Sequence, residues 1–121
     1  MYPIAPCSYA IDLKKLTSEY FKRWNNKHIT SLSTLFSEDI QLRDWNINVT
    51  GYDEVVKANL NIFNELPNIK AEILRLFVCE NKKTVIAELL IHLNNDEKIN
   101  VVDIITFNET GKIKSIGAYK G

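Results

Sequence analysis

The apolar residues of this chain follow two rhythms, helical spacing through most of its first half and strand-like alternation or continuous apolar runs through its second. Asp12 is placed to cap a helix in which Leu13, Leu16, Thr17, Tyr20 and Trp24 share one face, while Lys15, Ser18, Glu19, Lys22 and Arg23 lie elsewhere. Tyr20 is thereby expected to face inward. Asn25-Asn26-Lys27-His28 breaks the pattern, and Ile29, Leu32, Leu35 and Phe36 predict a short second helix ending near Ser37-Glu38-Asp39. Residues 40–45 alternate as a strand, with Ile40, Leu42 and Asp44 on one side and Gln41, Arg43 and Trp45 on the other. Residues 46–51 read as loop, and Asp53 is the expected cap of a third helix through Val56, Leu60, Phe63 and Leu66, stopped by Pro67. Residues 69–80, 84–93, 99–107 and 112–120 then read as four strands joined by short polar connections, which favour antiparallel hairpins.

This order of elements predicts an α+β domain whose helices pack on one face of a curved antiparallel sheet. At 121 residues, 45% of them hydrophobic, the chain is read as a tail over residues 1–10 and a single domain over residues 11–121. The strand over residues 99–107 is apolar on both faces: Val101, Ile105 and Phe107 on one, Val102 and Ile104 on the other. One face serves the helices. The other calls for a second cover, and a homodimer is the simplest way to supply it.

The charge balance narrows the partners. Fifteen Lys plus Arg offset fifteen Asp plus Glu, so no general field draws in nucleic acid or an anionic membrane, and a small neutral ligand, read as a small apolar molecule, or a protein partner is expected. No stretch approaches the roughly 18 to 20 apolar residues of a membrane span, and the first residues lack the basic and apolar regions of a secretion signal, so a cytoplasmic location is expected. Cys7 and Cys79 are too few and too distant in sequence for a disulfide framework or a zinc site. The Asn48-Val49-Thr50 and Asn108-Glu109-Thr110 triplets match the glycosylation pattern but read more simply as turn residues. No metal-binding helix motif, phosphate loop, nucleophile elbow or dinucleotide signature occurs, so neither metal nor cofactor is expected.

Against this background one residue stands out. Asp103 lies in the middle of the most strand-like run of the chain, on the same side as Val101 and Ile105. A carboxylate there must be paired, protonated or set in a pocket, because burying a bare charge costs more than one strand returns.

The stretch from Tyr20-Phe21 to Leu35-Phe36, the Asp39-Ile40-Gln41-Leu42-Arg43-Asp44 strand, the turn from Asn48 to Tyr52 and the closing Val102-Asp103-Ile104-Ile105-Thr106-Phe107 followed by Gly111-Lys112-Ile113 resemble the nuclear transport factor 2-like superfamily. Within it, the nearest branches are ketosteroid isomerase and the SnoaL-like polyketide cyclases. The resemblance implies a cone-shaped α+β barrel, a curved sheet packed on three N-terminal helices, with a pocket between them. It places Tyr20 at the isomerase's oxyanion-hole tyrosine, Asp44 at its general base and Asp103 at its oxyanion-hole acid. The implied chemistry is proton transfer through an enolate without a cofactor: two neutral donors hold the oxygen while an ionised acid carries the proton. Trp24, Trp45, Phe63, Val101 and Ile105 are expected to line the pocket, with Trp45 narrowing its mouth.

Each of the three also has a plain structural role open to it. Asp103 can be a buried acid bonded to an amide or a lysine, Tyr20 a core aromatic, and Asp44 the cap of a turn at Asn46 or a partner of Arg43. A non-catalytic ligand-binding or dimerisation module is therefore the alternative to an enzyme. His92 is expected to pair with Glu88, and His28 to be exposed. The Asp-Arg-Asp constellation of limonene-epoxide-hydrolase-type members is disfavoured, because Arg43 falls on the strand face opposite Asp44.

Overall fold

The computed structural model describes residues 11–94 and 96–121; the expected tail, with Cys7, and Asn95 of the expected connection between two strands lie outside them. Asp12 caps helix α1 (Leu13–Asn26), its carboxylate accepting from Lys15 N at 3.0 Å and satisfying one of the free N–H groups of the first turn. The buried face comprises Leu13, Thr17, Tyr20, Phe21 and Trp24. Thr17, wholly buried, disposes of its hydroxyl by donating to Leu13 O at 2.8 Å. Helix α2 (Ile29–Ser33) is shorter than the apolar spacing suggested. Phe36 belongs instead to strand β1 (Phe36–Arg43), because pairing with strand β6 (Ile113–Lys120) starts there, through the Phe36 and Ile113 partnership and the bond from Ile113 N to Leu35 O.

The expected loop over residues 46–51 contains a strand, β2 (Asn48–Thr50), paired antiparallel with the end of β1. Helix α3 (Tyr52–Glu65) is capped by Gly51, not by Asp53. Gly51 takes φ 105°, a conformation that suits glycine, and its carbonyl accepts from Val55 N; Asp53 sits in the first turn, where its charge favours the helix dipole. The inward face of α3 is also one position off the expected one. Val55, Asn59 and Phe63 are buried at four-residue intervals, whereas Leu60 is 40% exposed.

Strands β3 (Lys70–Cys79), β4 (Thr84–His92), β5 (Lys98–Phe107) and β6 form the expected antiparallel meander, with a short 3-10 turn, Glu80–Lys82, between the first two. The sheet order is β2-β1-β6-β5-β4-β3, and β1 joins β6 in parallel, the one parallel pair among the described residues. Register shifts at Ile73/Arg75 and Thr106/Phe107 bend the sheet. The sheet curves without closing, and the helices cover its concave face. That face carries Val85, Ala87, Leu89 and Ile91 of β4 and Val101, Ile105 and Phe107 of β5, all buried, together with Asp103.

The far end of α1 is tied to the start of β3. Asn25 makes both side-chain bonds to the Ala71 backbone (2.9 and 2.7 Å), and Lys27 Nζ donates to Ile69 O at 2.6 Å. Among the described residues no helix is long and apolar enough to cross a membrane.

Candidate functional site

Asp103 sits at the centre of the concave face, opposite Ala87 of β4 and Ala118 of β6. Directly opposed residues share a sheet face, so the acid is flanked by two methyl groups that leave space above its carboxyl. It is 7% exposed, and among the described residues nothing hydrogen-bonds to its side chain. Burial, and then the negative charge of Asp44, push the carboxyl up from its ordinary 3.8 to about 7. Tyr20, one layer away on α1, is 4% exposed and stacks edge-on against Phe21, with ring centroids 4.9 Å apart. Its hydroxyl likewise lacks a partner among the described residues. Burial and the neighbouring Asp103 push its ionisation far upward, so it remains a neutral donor.

Asp44 follows the last residue of β1 and is half-buried. One carboxylate oxygen accepts from Asn46 N at 2.7 Å and Ile47 N at 2.6 Å, while the Asp44 N–H donates to Ile47 O at 2.8 Å. The turn-capping role is thus occupied by Oδ1, and Oδ2 is left over. Arg43 is exposed and contributes nothing to the cavity wall.

Tyr20, Asp44 and Asp103 all border one cavity of about 860 Å³ between the concave face and the helices, together with Trp24, Trp45 and Val101. Two other residues expected in its lining stand behind it. Phe63 packs edge-on against Trp24, ring centroids 5.3 Å apart, and Ile105 is wholly buried in the core. Trp45 is 43% exposed at the rim, where Lys120 Nζ lies 5.3 Å from its ring centroid, within cation–π range. One polar wall residue escaped the sequence reading. Asn59 is 2% exposed, accepts from Trp24 Nε1 at 3.0 Å and donates to Val55 O at 2.9 Å. Its sequence signal is a polar residue four positions from both Val55 and Phe63, masked by the apolar spacing of Val56, Leu60 and Phe63.

The histidines lie outside the cavity wall. His92 pairs with Glu72 at 3.0 Å, not with Glu88, which is held by Arg75 from the opposite strand position. His28 is exposed at the start of α2. Among the described residues no group of three His, Cys, Asp or Glu side chains is arranged to hold a metal ion.

The SnoaL-like domain family matches residues 17–116. No curated protein matches the sequence at a significant level. Among solved structures, an NTF2-like protein of unknown function from Cytophaga hutchinsonii is 14% identical with a TM-score of 0.77, over 92% of this chain and 91% of that one. SalBIII, described as an epoxide hydrolase/cyclase-like enzyme in pyran ring formation in the polyether salinomycin, is 22% identical with a TM-score of 0.73, over 90% of each chain. A candidate ketosteroid isomerase from Kribbella flavida is 17% identical with a TM-score of 0.77, over 90% of this chain and 77% of that one. At these identities the structural likenesses establish the fold alone. The family match extends over nearly the whole described domain, and the chain therefore belongs to the SnoaL-like domain family.

Proposed function

We propose that this protein is a cofactor-independent enzyme that shifts a proton beside the carbonyl of a small, largely apolar compound through an enolate. The observation that carries this reading is that two buried donors, the Tyr20 hydroxyl and the Asp103 carboxyl, border the same cavity with no described protein partner for either. An unsatisfied buried polar group costs about 1–3 kcal/mol. A carbonyl oxygen accepting from both groups removes that cost, and it removes more as the oxygen gains charge, which is the condition for stabilising an enolate over its parent ketone. Asp44 takes the proton from the carbon beside the carbonyl through its free oxygen and returns it at another carbon, so that electrons move from C–H to the carbonyl oxygen and back with no redox partner. The half-buried position of Asp44 and the apolar burial of Asp103 give two like acids different tasks. The description of one fold neighbour as a candidate ketosteroid isomerase agrees with this class of chemistry.

The test is titration of phenols, whose oxygen imitates an enolate, against the wild type, Asp44→Asn, Asp103→Leu and Tyr20→Phe, with deuterium exchange at the α-carbon of small enones as the activity measurement. Asp44→Asn is expected to abolish exchange while preserving or tightening phenolate binding, and the other two to weaken both by about tenfold or more. A wild type that neither binds a varied panel of phenols nor catalyses exchange would leave a non-catalytic binding module as the better account.

A further inference from the structure

The proposed chemistry makes no use of Asn59, yet this residue is buried in the cavity wall and its orientation is determined by its neighbours. Trp24 Nε1 can only donate, and it donates to Asn59 Oδ1 at 3.0 Å, which identifies the oxygen branch of the amide. The nitrogen branch donates to Val55 O at 2.9 Å. An amide nitrogen carries two hydrogens, and among the described residues only one of these has an acceptor. The free N–H belongs to a side chain that is 2% exposed. Its remaining acceptors are water in the cavity or an atom of whatever displaces that water, and a ligand without an acceptor there strands it. Trp24, which fixes this amide, is four residues from Tyr20 on α1, so the two side chains leave the same face of the helix, and Tyr20, Asp103 and Asn59 border the same cavity.

We propose that Asn59 is a specificity-determining residue, and that the substrate is a bifunctional oxygen compound whose second acceptor, a ketone, ether or hydroxyl oxygen, meets the free Asn59 N–H while the first is held by Tyr20 and Asp103. Trp24 acts through it as a positioning residue. A site that hydrogen-bonds a substrate atom discriminates more sharply against the analogue lacking that atom than an apolar wall discriminates by size. The inference rests on the oxyanion reading of Tyr20 and Asp103.

The experiment compares two phenols of equal acidity and nearly equal shape: one with a saturated side chain ending in a methyl ketone, the other with an isopropyl group in its place. The readout is the ratio of their dissociation constants. In the double variant Trp24→Phe/Asn59→Leu, which removes both hydrogen-bonding partners and leaves no orphaned indole N–H, this ratio should move about tenfold towards the isopropyl phenol. Asn59→Asp keeps an acceptor for Trp24 and lacks the donor, so it should move the ratio in the same direction and serves if the double variant does not fold. Denaturant midpoints identify folded proteins. An unchanged ratio in either folded variant overturns the proposal while leaving the oxyanion reading intact. A wild type that binds neither phenol removes both.

Discussion

Asp103 and Asp44 border one cavity, and the charge of Asp44 is the second cause, after burial, that holds the Asp103 carboxyl near 7. The consequence for stability has a definite sign. Because the carboxyl's folded value lies above its ordinary 3.8, the folded state holds the extra proton. The advantage is full below about pH 4, is drawn down as the pH rises between the two values, and is gone above about pH 7. At roughly 1.4 kcal/mol for each pH unit of that window, the loss amounts to a few kcal/mol. Asp103→Asn carries no such dependence, so its stability relative to the wild type should improve by about 2–4 kcal/mol from pH 4 to pH 8. Urea midpoints of both proteins across that range measure it. An Asn variant that is strongly destabilised at pH 8 would mean that Asp103 is ionised and partnered, and so unable to donate to an oxyanion.

The coupling between the acids can be isolated. Asp44→Asn removes the charge that disfavours ionisation of Asp103, and the amide oxygen can still accept from Asn46 N and Ile47 N, so the turn is retained. The titration of Asp103, followed by carboxyl carbon NMR, should move to lower pH without returning to its ordinary value, since burial remains the larger cause. A midpoint that stays put would show that the two acids do not sense each other.

How much of this was legible beforehand follows from the range of each interaction. Asp103's face was readable from strand parity, and the start of α1 from Asp12, because both depend on neighbours a few residues away. Strand β2, at three residues, is too short to show a period, and Phe36 was drawn out of a helical pattern by its distant partner Ile113. The partner of His92 was misassigned along its own strand, whereas the ion pairs run across strands: Arg75 sits opposite Glu88 and claims it, leaving Glu72, diagonal to His92, as the available acid. Asn59 was missed for a related reason. A polar residue on a buried helix face is explained only by what it meets, and Trp24 lies 35 positions away.

That pair makes its own prediction about stability. Truncating Asn59 to Ala leaves a buried indole N–H without an acceptor and should cost about 1–3 kcal/mol beyond the lost packing. Replacing Trp24 by Phe alone frees Asn59 Oδ1, and the double replacement should cost less than the sum of the two, with a coupling of about 1 kcal/mol or more for residues in direct contact. A thermodynamic cycle from denaturant unfolding of the four proteins supplies the number. Additive costs would show that the 3.0 Å contact contributes nothing of its own.

The sheet face turned away from the cavity carries exposed apolar side chains. There Phe77 of β3, Ile86 of β4 and Ile104 of β5 stand opposite one another in a single cross-strand row, exposed by 50%, 38% and 37%, with Tyr119 of β6 exposed by 54% in the next row. Scattered apolar side chains at a surface are ordinary, but a contiguous row across the strands of a sheet is the kind of patch that another surface covers. We propose a second copy of this chain as that cover, since a two-fold axis brings the same row onto itself and needs no other complementary surface. An interface of standard size hides about 800 Å² on each partner, which requires most of the face beyond this one row. The wild type should therefore sediment as a dimer at micromolar concentration, and Ile104→Lys, which places a charge on the exposed side of a central strand without entering the core, should sediment as a folded monomer. A wild type that is monomeric under these conditions, or an Ile104→Lys variant that remains dimeric, would assign the row no part in self-association.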